Sequence, residues 1–299
     1  MKNLLDHFRK IPKIESHNHL NLGMQYEKYA KWAGFRIPNF PRKLAGLEEM
    51  HQIIGEYTRP RCATQQDIED LLHLSIQDAL EDGIAILEGS IDIGFIRNCN
   101  YNPEQFLEMV SKIVKKYQDT IVFKPELGLG KTFDKELIQK WAPICIKSGI
   151  FKSIDLYGPE VEEGLDDFIP IFDLANKEGL KTKAHVGEFS DAQSVKTFID
   201  TFNLKEVQHG VGIYDNEAIM QYILDKNIVL NITPESNIML GRFASLKEHP
   251  MRKFFDKGIK FTINTDDLLF FNKTISEQCV DLVNEGIFTI EEIEKIVRI

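Results

Sequence analysis

The sequence predicts a (β/α)8 barrel. Three features carry that expectation: eight short apolar runs, segments of helical period between them, and glycines standing where helices would end. The runs are 11–16, 83–89, 120–127, 149–156, 180–185, 206–209, 228–233 and 259–265. All are of strand length.

Taken in order, the first run ends Glu-Ser-His17-Asn-His19. Residues 21–67 then separate it from the rest, with Tyr26, Tyr29, Trp32, Phe35 and Phe40 among Pro38, Pro41 and Pro60. A connection that long is usually functional or disordered, and its aromatics argue against disorder. We expect a partly helical, lid-like insertion over the barrel mouth, inside a single domain spanning 1–299. Ile68, Leu71, Leu72, Ile76, Ala79 and Leu80 then make one helical face, as do Phe106, Met109, Val110, Ile113, Val114 and Tyr117. Val195, Phe198, Ile199 and Phe202 form another stripe, and Ala218, Ile219, Tyr222 and Ile223 a fourth. Gly83, Gly149, Gly179 and Gly258 stand where helices would stop before the next strand. A doubly wound open sheet is the alternative, but no Gly-rich phosphate loop follows the first run.

Composition narrows the function. The chain has 299 residues, 43% hydrophobic and 27% charged, as a soluble globular protein has. A net charge of −10 repels polyanions, so we expect no nucleic-acid partner and a small-molecule ligand instead. No window is apolar enough to cross a membrane, and the N-terminus lacks a signal-type core. Four cysteines with no C-x-x-C pair read as free thiols in a reducing compartment, the cytoplasm.

Chemistry in such a barrel sits at the C-terminal ends of the strands. Of the eight histidines, four fall there: His17, His19, His185 and His209. His17 and His19 are two apart, so on a strand they share a face. With His185 and Asp266 they make three nitrogens and one oxygen, a set suited to zinc. The ordinary alternatives are a backbone-satisfied core histidine for His185, a helix N-cap for Asp266 or Asp267, and a turn for His209-Gly210. All of them would have to hold together.

The segments SHNHL, HVGE, QHGVGIYDN, TPESNIMLG and INTDD occur in this order. In order and spacing they resemble the adenosine deaminase family of the amidohydrolase superfamily. The resemblance covers residue 13 to about 274, with no match in 24–66. It implies one Zn2+ per chain, held by His17, His19, His185 and Asp266. It implies that Glu188 carries a proton to ring N1 of a 6-aminopurine nucleoside and that His209 orients and deprotonates the attacking water. It also implies that Asp267 bonds ring N7, that Gly158 offers its amide to ring N3, and that His19 and Asn21 face the substrate. The reaction so implied is zinc-dependent hydrolytic deamination: the activated water attacks the amine-bearing carbon and ammonia leaves.

The sequence departs from the family at Asn21 and Leu22, where an aspartate and a glycine are usual. The substrate therefore stays open between a nucleoside, a modified nucleoside, a free base and a pterin. Another amidohydrolase activity and a non-catalytic nucleoside-binding protein are the rival functions. The other zinc deaminase pattern, H-x-E with P-C-x-x-C, is absent. Lys183 shares the inward face of His185, and a buried lysine needs partners. Glu88, Glu126 and Asp155 are the candidates, in an ion-pair layer beneath the metal; a lysine bridging two metals is the sharper alternative.

Overall fold

Every expected run contributes a strand to the computed structural model, which describes residues 2–298. The strands are β1 (Lys13–His19), β2 (Ile84–Asp92), β3 (Val122–Gly130), β4 (Ser153–Tyr157), β5 (Lys181–Val186), β6 (Glu206–His209), β7 (Val229–Ile232) and β8 (Phe261–Ile263). They pair in parallel in sequence order. Helices fill the crossovers, as a parallel sheet requires. The periodic stripes lie on the helices Gln65–Glu81, Pro103–Tyr117, Ala192–Phe202 and Glu217–Lys226 and pack mostly against the barrel, except that Leu71 joins the cluster of the 21–67 segment and Ala218 is exposed. Gly258 closes the helix Met251–Lys257 at φ 78°, a left-handed angle that glycine adopts without a Cβ clash.

The barrel closes at its mouth. β1 and β8 meet through a parallel bridge between Asn18 and Asp266, where the Asp266 amide donates to the His17 carbonyl at 3.0 Å. β8 is shorter than its apolar run because side chains take over the hydrogen bonding beyond Ile263. Asn264 Oδ1 accepts from the Ser16 amide at 2.8 Å, and Glu15 accepts from the Thr265 amide at 3.0 Å. The seam that completes the fold thus also brings Asp266 beside the two histidines of β1.

Residues 21–67 are partly helical, with helices at Tyr26–Ala33 and Leu47–Ile53. They build an apolar cluster of their own. Tyr26, Tyr29, Phe40 and Met50 pack with Phe270 and Phe271 from the turn after β8. Each such fully buried side chain contributes roughly 1.5–3 kcal/mol. Lys28 pairs with Asp78 at 2.9 Å, and Trp32 donates to Asp70 at 3.0 Å, tying the segment to Gln65–Glu81. All four cysteines are free thiols. Among the described residues no helix is long and apolar enough to cross a membrane.

Candidate active site

A bulge in β1 sets the first two histidines. Its register steps from Glu15 opposite Leu87 to Asn18 opposite Gly89, so β1 carries one extra residue there. His17 Nε2 lies 3.0 Å from His185 Nε2, and His19 Nε2 lies 3.2 Å from the same atom. Asp266 Oδ1 is 3.4 Å from His17 Nε2 and 3.7 Å from His19 Nε2. The four ligand atoms all fall within 4.8 Å of one another.

The donor set fits a metal ion. His17 Nδ1 faces the Asn231 carbonyl at 3.2 Å, and His185 Nδ1 faces the Asp155 carboxylate at 3.1 Å. Both partners only accept, so both Nδ1 atoms carry the proton, and in neutral rings both Nε2 atoms present lone pairs. Lone pairs 3.0 Å apart repel unless positive charge lies between them. Burial opposes ionisation of Asp266, but His17 and the neighbouring imidazoles outweigh it and hold its carboxyl well below the usual range. Burial and the neighbouring His185 push His19 down to about 4, which keeps that ring neutral and able to ligate.

Glu188 follows β5 on the turn Val186-Gly187. One of its oxygens is 3.5 Å from His209 Nε2, and the other is buried without a hydrogen-bond partner. Burial, then the carboxylates of Asp266, Glu160 and Asp267, raise its pKa well above the usual value, which favours its protonated form. Asp267 is raised likewise, by burial and then by Asp266, and its Oδ1 also lacks a partner. Although it precedes the short helix Leu268–Phe271, its side chain makes no capping bond. The N-cap alternative therefore does not account for Asp267, and His185 is held by a carboxylate rather than by backbone.

His209 ends β6 with φ 64°, and Asp266 has φ 59°. Left-handed backbone at such residues costs on the order of 1–3 kcal/mol each and is concentrated at functional sites. The His209 ring is buried, stands edge-on to His17 with centroids 4.6 Å apart, and has Nδ1 2.9 Å from the Thr233 hydroxyl. Burial and the adjacent His17 hold its pKa well below the usual value.

Asn21 and Gly158 line a cavity of about 710 Å³ that opens onto these groups. The 21–67 segment also lines it through Leu47, Met50, Thr58 and Cys62. Gly158 has φ 115°, and a Cβ there would lie 3.3 Å from Lys131 Cβ, so a side chain would be both strained and crowded.

Lys183 is fully buried. It lies 2.8 Å from Glu126, 2.9 Å from Glu88 and 3.7 Å from Glu206, and donates to the Ser16 carbonyl at 2.9 Å. Asp155, expected among its partners, turns to His185 instead, and Glu206 joins the layer. The Lys183 amine is thus engaged by an ion-pair layer one step below the imidazoles.

Three neighbours of the site were not anticipated from the sequence: Asp155 as the partner of His185, Thr233 beside His209, and Glu160, whose carboxylate meets the turn carrying Glu188. Asp155 offered a signal, since it stands in β4 only three residues before Gly158. The other two contacts cross between separate loops and leave no local trace.

A family model described as Adenosine deaminase matches residues 12–298. A protein of Treponema pallidum (strain Nichols) named "Putative adenosine/adenine deaminase" is 48% identical over 285 residues, covering 95% of each chain. An adenosine deaminase of Clostridium botulinum (strain Loch Maree / Type A3) is 25% identical over 297 residues, covering 93% of this chain and 88% of that one. Among solved structures, adenine deaminase from Arthrobacter aurescens superposes with a TM-score of 0.79 at 19% identity, covering 95% of this chain and 90% of that one. The N6-methyl-AMP deaminase from Arabidopsis thaliana gives 0.80 at 16% identity, covering 96% and 90%. At these identities the two structures speak for the fold.

Proposed function

This chain belongs to the adenosine deaminase family and is a hydrolytic deaminase, and we propose that it removes the 6-amino group of an aminopurine nucleoside with one zinc ion per chain. The observation that carries this reading is the meeting of His17, His19, His185 and Asp266 within 4.8 Å, next to a buried Glu188 whose pKa is raised.

Zinc held by those four residues supplies a Lewis acid that makes water nucleophilic near neutral pH. The remaining work falls to the chain. His209, neutral and 3.5 Å from Glu188, orients the water and takes its proton. Glu188 delivers a proton to ring N1 as the amine-bearing carbon is attacked. A placed general acid of this kind contributes about 10²–10⁴ in rate. Ring N7 is an acceptor, so Asp267 must donate to it; its raised pKa supplies the proton. The Gly158 amide donates to ring N3, His19 borders the substrate, and Asn21 meets the sugar. The 21–67 segment serves as a lid that keeps bulk water from the reacting carbon. Cysteines that are all free agree with a cytoplasmic location.

A cavity of about 710 Å³ suits a nucleoside better than a bare base. Ammonia release from a panel of adenine, adenosine, deoxyadenosine, AMP, their N6-methyl forms and pterins tests the assignment. Fastest turnover of an aminopurine nucleoside is expected. Turnover of none of them would remove the proposed function, and exclusive turnover of adenine would move it to the free base.

A further inference from the structure

We propose that Glu160 is a positioning residue: its carboxylate gathers four successive amides of the turn after β5 and so holds Glu188 toward the cavity. Its Oε1 accepts from the Glu188 amide at 2.9 Å. Its Oε2 accepts from Gly187 at 3.0 Å, Ser190 at 2.8 Å and Phe189 at 3.3 Å. Four consecutive N–H groups turned to one side form an anion-binding concavity. Here the anion comes from the chain itself, 27 residues upstream of Gly187.

The turn is built for this arrangement. Gly187 has φ 79°, and a Cβ there would lie 2.5 Å from Val195 Cγ2, so only glycine fits without displacement. The Gly187 carbonyl accepts from the Gly212 amide at 2.7 Å, which fixes the other side of the turn against the loop after β6. A further carboxylate close to Glu188 raises the local electrostatic cost in a chain of net charge −10. The four amides offset that cost, and what the arrangement secures is the direction of Glu188.

Glu160 also follows Gly158 by two residues. One side chain therefore joins the loop that offers an amide to ring N3 with the loop that offers a proton to ring N1. These two nitrogens flank the same carbon on one edge of a purine. Glu160 fixes the spacing of the two contacts without touching the ring. The inference rests on the deaminase reading for its catalytic consequence, though not for the geometry of the turn.

The test uses the full-length, metal-loaded protein and the variants Glu160→Gln and Glu160→Asp. In hydrogen exchange, Glu160→Gln is expected to speed the amides of 187–190 by about tenfold to a hundredfold, as loss of charge-assisted bonds implies, with the strand amides unchanged. With the preferred substrate, kcat falls about tenfold to a hundredfold, KM moves less, bound metal stays constant, and Glu160→Asp recovers part of the loss. Wild-type protein binds a purine ligand more tightly than its 1-deaza analogue, and in Glu160→Gln that preference shrinks. Unchanged exchange at 187–190 overturns the proposal. So does a fall in kcat that leaves the 1-deaza preference intact. Wild-type protein that deaminates nothing overturns the proposed function instead, while the exchange result still decides the role of Glu160.

Discussion

Two polar layers lie one above the other in the same barrel, and they are completed in opposite ways. In the lower layer Lys183, Lys181 and Lys124 meet Glu88, Glu126 and Glu206, three cations against three carboxylates. In the upper layer, among the described residues, no lysine or arginine pairs with Asp155, Glu188, Asp266 or Asp267; imidazoles are the only basic partners of the first three, and Asp267 has none. Glu188 and Asp267 each keep a buried oxygen with no partner. Buried charge that is balanced from within the chain belongs to the architecture. Buried acceptors left over are directed at something that is not the chain. Two residues of β5, Lys183 and His185, divide these roles.

That contrast can be broken first at Glu188. Glu188→Gln keeps the shape of the side chain, and its melting temperature and bound metal are expected to match wild type. Turnover falls about 10²–10⁴-fold, since an amide cannot give up a proton to the ring. An active, metal-loaded variant would remove Glu188 from the upper layer's chemistry.

The lower layer answers to stability instead. Lys183→Met leaves Glu88 and Glu126 buried without their central cation, and chemical denaturation should register a loss of about 3–5 kcal/mol. A variant as stable as wild type would mean that the layer is not held by its lysine. Asp155 stands between the layers and sharpens the distinction. Asp155→Asn keeps the shape while weakening the hold on His185 Nδ1, so competition with a chelator should reveal metal affinity about 10–100-fold lower. The smallest effect concerns acid. Burial opposes ionisation of Glu88, and Lys183 and Lys181 outweigh it, bringing its carboxyl down to about 2. A depressed folded-state pKa contributes stability that is complete above the unfolded value, about 4.5, and is lost as pH falls toward 2. Melting temperature should therefore decline through that window, and Glu88→Gln should flatten the decline.

The barrel was legible in the sequence because apolar runs and helical stripes repeat along the chain, and those patterns are local. The positions of His17, His19, His185, His209 and Asp266 could be read because each stands at or near the C-terminal end of a strand, and those ends share one face of a barrel. Their partners were harder to read. Asp155 was one of three expected partners for Lys183, with Glu88 and Glu126, and the two do stand opposite each other in the β4–β5 register. The Asp155 side chain instead reaches the next layer, a choice set by the stagger of neighbouring strands rather than by either residue. Glu160 and Thr233 act across loops whose approach depends on the whole closed barrel, and the sequence holds no period that would reveal them. Residues 21–67 were legible as ordered because of their aromatics, but their docking on Phe270 and Phe271 follows from the fold and not from any spacing.

The upper layer is expected to take a single divalent cation and the lower layer none. Metal analysis of the purified protein, with His17→Ala beside it, tests this most directly. One zinc per chain is expected in wild type, and loss of both metal and activity in His17→Ala. Two ions per chain, or full activity in a metal-free His17→Ala protein, would contradict it.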